Sequence, residues 1–300
     1  MGSEMCIRDS IKEGDKATGV ILQDGTKVMA NKAICSATGI KQLFYDLLGK
    51  EYLSEHITRQ IDRFKGDEIP LFTVHLCLDG PIRWKAIEKR PEVEGMPFVN
   101  FGYDNLDDLQ SQYNDARLGI PPQRAGGATC TCTHVDPTQV PPGKHVTLLW
   151  QYSTWDIREE VPPYYVKKGE GGPKGWDVIK KEYGDYLVEE WIKFAPSLEK
   201  DILARYYHSP LDISRTEISM LKGSMTFGLV NDQLFNARPF RSNIPPFRTP
   251  LKGLYICNPI GPSGPGCSGA SGYCCANAIA DDLKLKKWWQ PLEIGKMIKD

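Results

Sequence analysis

From Ala17 the chain alternates apolar and polar positions. TGVILQDGTKVMANKAICSA reads as two short strands joined at Asp24–Gly25 and a third run ending at Cys35, Ser36 and Ala37. Side chains on a strand point to opposite faces with period two, and Asp-Gly between alternating runs is a hairpin signal. The period then changes. In KQLFYDLLGKEYLSEHITRQIDRF, Leu43, Leu47 and Leu48 fall at helical spacing, and Gly49 stands where a left-handed residue would end the helix. IPLFTVHLCLDG (69–80) and HVTLLWQYST (145–154) read as strands. The tract between them, through Pro91, Gly95, Pro97, Pro121, Pro122, Gly126, Gly127, Pro141 and Pro142, reads as long, aromatic loops. From Gly175 to about Ala195 a helix carries Tyr183, Leu187, Trp191 and Phe194 on one stripe, most simply a core stripe. LYICN (254–258) is a further strand, followed by a loop of Pro, Gly and Ser and then a helix. Gly269, Gly272, Ala276 and Ala280 form a small-residue stripe on that helix, which lets it approach a sheet or a bound molecule closely.

Residues 1–10 stand outside this pattern. MCIRDS (5–10) has no amphipathic period and joins abruptly to a segment that begins in the middle of a sheet pattern. These residues are expected to be foreign to the fold, and the chain to be a truncated reading frame.

Composition narrows the class. With 300 residues, 41% hydrophobic and 25% charged, and a net charge of -1, the chain has the profile of a globular protein of one large or two ordinary domains. The near-neutral balance argues against a nucleic-acid partner. No apolar run is long enough to span a bilayer and no signal core opens the chain, so a cytoplasmic location is the expectation. Nine cysteines in irregular spacing make neither a disulfide framework nor a CxxC knuckle, so no metal site is expected. Cys130-x-Cys132 and the adjacent Cys274–Cys275 are reactive pairs or simply small half-apolar fillers.

GPGCSG, Gly264 to Gly269, satisfies the dinucleotide spacing G-x-G-x-x-G. That fingerprint works because glycines let the backbone reach a pyrophosphate and the following helix aims free N–H groups at it. Its usual context is a strand, a tight turn, a helix and a second strand ending in an acid about 20 residues on. Here a five-residue loop separates the strand from the first glycine, and no second strand with a terminal acid follows. The loop therefore calls for another explanation.

The order G-V-x-L-x-D-G-x-x-V-x-A-x-x-A-I (19–34), SPLDISR (209–215), GSMTFG (223–228), ARP (237–239) and TPLKGLYICN followed by the glycine loop resembles the C-terminal part of phytoene-desaturase-like FAD-dependent oxidoreductases. Gly264, Pro265 and Gly266 align with the family's triple glycine, and Gly269 and Gly272 with later glycines. Asn258, Pro262 and Ser263 depart from its usual glycine, histidine and proline. The resemblance implies an α/β fold: a Rossmann-like FAD-binding domain without its N-terminal βαβ half, and an inserted α+β substrate domain built on a mixed sheet. The expected boundaries are 1–45 for the first piece of the FAD domain, 46–225 for the substrate domain and 226–300 for the second piece. It also implies that FAD is held by Asn258, Gly264, Pro265, Gly266, Cys267, Ser268, Gly269 and Ala270, where a strand, loop and helix close over the flavin. The chemistry implied is hydride transfer to or from an apolar polyene or isoprenoid, as a desaturase, saturase or redox-assisted isomerase. A second reading is a non-catalytic lipid or prenyl carrier on the same scaffold, similar to Rab GDP-dissociation inhibitors.

No side chain declares itself an acid or base. His56, His75, His134, His145 and His208 are scattered, and structural roles account for each. Asp212 reads as a surface or loop-capping acid. Trp150, Trp155, Trp176 and Trp191 line an apolar tunnel or, more simply, pack a core. Trp288–Trp289, after Lys284, Lys286 and Lys287, touch a membrane surface or pack on the protein.

Overall fold

The computed structural model describes residues 7–64, 69–225, 244–259 and 269–289. The chain divides into two compact units, one made of Met1–Lys65 with Thr226–Asp300, the other of Gly66–Met225.

In the first unit, β1 (Ile7–Glu13), β2 (Lys16–Leu22) and β3 (Lys27–Met29) form an antiparallel sheet in that order. The β2–β3 hairpin turns at Asp24–Gly25, where the Asp24 carboxylate accepts from the Thr26 N–H at 2.8 Å. Strand β1 runs straight through the junction at Ser10: Ile7 pairs with Leu22 and Ser10 with Val20. The backbone of residues 7–10 is thus part of the sheet, although their sequence carries no alternation.

A second sheet joins the distant parts of the chain. β4 (Ile34–Ser36) pairs in parallel with β10 (Leu254–Ile256), with Ile34 opposite Leu254, Cys35 opposite Tyr255 and Ser36 opposite Ile256. Beyond β4 the expected helix is instead a π-helical turn, Gln42–Leu47, which buries Leu43, Phe44 and Leu47. Gly49 follows it at φ 90°, and the regular helix, α1 (Glu55–Arg63), starts only after Ser54 caps it. Since Ile57 and Ile61 of α1 are buried in this unit, residues 46–65 belong here rather than with the middle of the chain.

The second unit is a five-stranded sheet, ordered β6 (Phe98–Phe101), β7 (Gly127–Cys130), β8 (His145–Tyr152), β5 (Leu71–Leu78) and β9 (Ile202–His208). The expectation of a mixed sheet is corrected: every described pairing is antiparallel. An antiparallel sheet can keep helices on one face and leave the other open, whereas parallel crossovers cover both. Helix α3 (Gly175–Phe194) supplies the covered face. Tyr183, Leu187 and Trp191 are fully buried with Phe72, Val74, Leu76, Leu78 and Leu149 of the sheet. Phe194, the fourth residue of the expected stripe, is 39% exposed. Trp176 is also core, its indole N–H donating to the Thr154 carbonyl at 3.1 Å, and Phe101 stacks on Trp191 with ring centroids 5.8 Å apart. Core packing is therefore the account of Trp176 and Trp191.

The tract expected to be loops contains β6, β7 and helix α2 (Leu106–Arg117). Asn105 caps α2 in a reciprocal box with Asp108. The buried Gln112 then ties the helix to the sheet edge, accepting from the Tyr103 hydroxyl at 2.7 Å and donating to the Gly126 carbonyl at 3.1 Å. After the short α4 (Leu198–Asp201), strand β9 leads into α5 (Pro210–Thr216), whose box is Ser209 and Asp212. Asp212 is thus a capping acid. Burial pushes its carboxyl up, but the Ser209 hydrogen bonds and the Lys180 ammonium, 2.9 Å away, more than reverse this and leave it below the ordinary value.

Candidate functional site

Because β4 and β10 are parallel, both end at the same edge. The chain leaves β10 through Cys257 and Asn258 and leaves β4 through Ala37 and Thr38, and these exits are bonded together. The Cys257 N–H donates to the Ser36 carbonyl at 2.9 Å, and the Ser36 and Thr38 hydroxyls share a hydrogen bond of 2.7 Å. Asn258, 2% exposed, donates its side-chain amide to the Thr38 carbonyl, across 220 residues of sequence. Its side chain holds the two strand exits in register. In open α/β sheets the carboxyl ends of parallel strands are where ligands lie.

Helix α6 (Ala270–Asp282) starts next to this edge and packs on β10. Gly269 precedes it at φ 71° and ψ 0°, a left-handed conformation that favours glycine. The helix buries Cys275, Ala278 and Ala280, while Gly269, Gly272 and Ala276 are exposed. Among the described residues, a Cβ built on Gly269 or on Gly272 meets nothing within 4 Å. The glycines of the small-residue stripe are therefore not what lets α6 sit on the strand; they lie on its open side. Arg248 holds the far end. Its guanidinium grips the Asp282 carboxylate through two bonds of 2.8 Å, and Tyr255 of β10 donates to the same carboxylate at 2.9 Å. Of the residues expected to bind a cofactor, Gly264, Pro265, Gly266, Cys267 and Ser268 lie outside the described residues, as do Pro262 and Ser263.

Three thiols from three elements meet beside these strand exits. Cys275 of α6 lies beside Cys35 of β4 and Cys257, near enough to shift their titration. The Cys275 thiol pulls Cys35 down to about 7 and lowers Cys257, while Cys275 itself, buried, is pushed far up. The sequence suggested Cys274 with Cys275. Neighbours on a helix point in different directions, and the true partners of Cys275 are on other elements.

In the second unit, the sheet face opposite α3 is a second candidate surface. The register places Phe98, Leu148, Trp150, Tyr152, His75 and Tyr206 on it, because each alternates with a core-facing neighbour. Tyr152 is 52% exposed, Phe98 63% and Tyr206 59%. Trp150 thus belongs to the open face, unlike Trp176 and Trp191. The histidines also gather into pairs that spacing does not reveal. His75 lies 6.0 Å from Tyr206, which lies 5.7 Å from His208, and the rings of His134 and His145 meet edge to face at 5.3 Å. Burial, then the nearby His208, lower the His75 pKa, and its Nε2 shares a hydrogen bond of 2.9 Å with the Thr73 hydroxyl.

Among the described residues no three His, Cys, Asp or Glu side chains are arranged to hold a metal ion, and no helix is long and apolar enough to cross a membrane. Trp288 is 91% exposed, whereas Trp289 donates to Asn277 at 3.2 Å and Lys287 pairs with Asp281 at 2.7 Å.

No family model matches the chain. Pyridine nucleotide-disulfide oxidoreductase domain-containing protein 2 of Mus musculus is 28% identical over 276 residues, covering 90% of this chain and 45% of the relative. One of the polypeptides of limonene dehydrogenase from Castellaniella defragrans is 28% identical over 309 residues, covering 96% of this chain and 52% of the relative. The chain spans about half the length of these curated relatives. Among solved structures, an oxidoreductase from Methanosarcina mazei superposes with a TM-score of 0.43 at 18% identity, covering 93% of this chain and 48% of that one. The PF1083 protein of Pyrococcus furiosus gives 0.45 at 12% identity, covering 91% and 45%.

Proposed function

We propose that this chain is part of an FAD-dependent oxidoreductase that acts on an apolar polyene or isoprenoid substrate. The observation that carries the reading is the sheet face opposite α3, where Phe98 and Tyr152 are exposed and Leu148 and Trp150 half-buried. A polar substrate laid against Phe98, Leu148, Trp150 and Tyr152 would lose hydrogen bonds to water without replacement, whereas an apolar one gains about 25 cal/mol for each Å² covered. One relative is named for dehydrogenating limonene, itself a hydrocarbon, and the others as oxidoreductases.

On this reading Gly66–Met225 is the substrate unit, and Met1–Lys65 with Thr226–Asp300 is the flavin unit. The bare side of α6 at Gly269 and Gly272 suits close approach of a cofactor to backbone, and the parallel strand ends put that helix at the customary ligand edge. Gly264, Pro265, Gly266, Cys267, Ser268, Gly269 and Ala270 would hold FAD, with Asn258 keeping the strand exits in place behind them. When bound, FAD supplies the hydride acceptor or donor. The sheet face then excludes water and aligns the substrate, and neutral His75 holds a proton between Nε2 and the Thr73 hydroxyl. Trp288, with the exposed Lys284 and Lys286, supports peripheral contact with a membrane surface from which such a substrate could be drawn.

The test uses a polypeptide in which this chain follows a flavin-binding βαβ segment. It should purify yellow, and anaerobic addition of an apolar isoprenoid should bleach the flavin's visible absorption. A Leu148→Asp, Tyr152→Asp double variant should keep its flavin and lose the bleaching. A protein that binds isoprenoids but never retains flavin is a carrier, and the oxidoreductase reading then fails.

A further inference from the structure

We propose that Cys130 and Cys132 form a redox-active dithiol that exchanges with low-molecular-weight disulfides and closes to an intramolecular disulfide. The two sulfurs stand 3.1 Å apart. On a flat strand, residues two apart are separated by roughly 6.6 Å, at the long end of what a disulfide can bridge. Here the strand is not flat. Cys130 ends β7, Cys132 opens the turn that follows, and Thr131 between them bends the chain at φ -118° and ψ 71°. The bend is fixed from both sides. The Thr131 N–H donates to the Pro97 carbonyl at 2.7 Å, and its buried hydroxyl bonds with that of Thr147 at 2.7 Å. The scaffold thus holds the thiols together before any bond joins them, which lowers the entropy lost in closing the ring.

Exposure orders the steps. Cys132 is exposed, whereas Cys130 is 8% exposed, and burial with the adjacent Cys132 pushes its thiol up to about 11. The Cys132 thiolate attacks one sulfur of a disulfide RSSR, whose S–S bond breaks as RS⁻ leaves and takes up a proton. Cys130 then loses its proton to solvent and attacks the Cys132 sulfur, expelling the second RS⁻, which is likewise protonated. The net change is dithiol plus RSSR to protein disulfide plus two RSH: the cysteines are oxidised by two electrons and RSSR is reduced. The pair is independent of the flavin reading, since it involves only the 300-residue chain and a small disulfide.

The experiment equilibrates the reduced chain with glutathione buffers of graded ratio, traps free thiols by alkylation and reads the 130–132 peptide by mass spectrometry. The expected result is a peptide lighter by two hydrogens and unalkylated at oxidising ratios, returning to the dialkylated form at reducing ones. Cys130→Ser should accumulate a glutathione mixed disulfide on Cys132, and Cys132→Ser should show none at Cys130. Wild-type chain that stays dialkylated at the most oxidising ratio, or that joins Cys132 to another cysteine, overturns the proposal. The wild-type measurement decides even where a variant fails to fold.

Discussion

Cys35 and Cys275 carry the same thiol and opposite chemistry. One, exposed at a strand end, has its thiol lowered by its neighbour Cys275; the other, buried in α6, holds its proton against the two thiols beside it. Thiolate, not thiol, reacts with alkylating agents, so Cys35 should be labelled by iodoacetamide well before Cys275 at neutral pH. Its labelling rate should rise through a midpoint near 7, where its lowered pKa makes it half thiolate. Cys275→Ala removes that neighbour and should move the midpoint up toward the ordinary thiol value of about 8.5. Equal labelling rates for the two residues would contradict the arrangement. At this scale the sequence was legible only where a residue acts on its own near neighbours. Asp212, a surface or loop-capping acid by sequence, caps α5 with Ser209 only three residues away, but Cys35, Cys257 and Cys275 come together only once two strands and a helix are in register.

Two helices contain a glycine whose replacement by alanine should act in opposite directions. On α6, Gly272 is exposed with open space around it, so Gly272→Ala should stabilise the first unit by about 0.5–1 kcal/mol through helix propensity. On α3, a Cβ at Gly184 would enter the Tyr207 ring, whose hydroxyl donates to Asp185 at 2.6 Å. Gly184→Ala should therefore cost the second unit about 1–3 kcal/mol by overpacking. Thermal melts of both variants check the pair, and a matching sign would refute the packing described. The Arg248–Asp282 grip makes a pH prediction for α6. Arg248 is the main reason that the Asp282 carboxyl lies below the ordinary 3.8. A depressed carboxylate contributes its stability above the unfolded value and loses it as pH falls through the folded one. Asp282→Asn should thus destabilise the protein near neutrality by about 0.5–1 kcal/mol, since solvent screens this exposed carboxylate, and the difference should fade below about pH 4. Elements themselves were legible where periodicity was long: α3, β5 and β8 stand where the pattern puts them. Helix α2 was missed although Asn105 and Asp108 have capping-box spacing, because the surrounding prolines and glycines dominate the composition of that tract.

At the scale of the molecule, the first unit is assembled from both ends of the described chain, and β4 finds β10 across the whole middle unit. Alternation cannot reveal such a pairing, because a three-residue strand has no period to read. Only the resemblance of the two segments to one family's flavin domain placed them together in advance. The sheet face opposite α3 escaped for a related reason: its aromatics come from three strands, Phe98 from β6, Trp150 and Tyr152 from β8 and Tyr206 from β9, and the surface exists only when the strands are ordered. The two units differ in how they are held. Gly66–Met225 has a five-stranded sheet over the continuous aromatic core of α3, whereas the described sheets of the other unit have three strands and two. Short sheets depend heavily on what packs against them, and regions with fewer buried contacts open at lower free energy. Limited proteolysis of the intact chain should therefore cut first within 1–65 or 226–300 and leave a fragment close to Gly66–Met225. That fragment should keep the fluorescence of buried Trp176 and Trp191, whereas first cuts within β5, β8 or α3 would show that the sheet unit is not the more stable of the two.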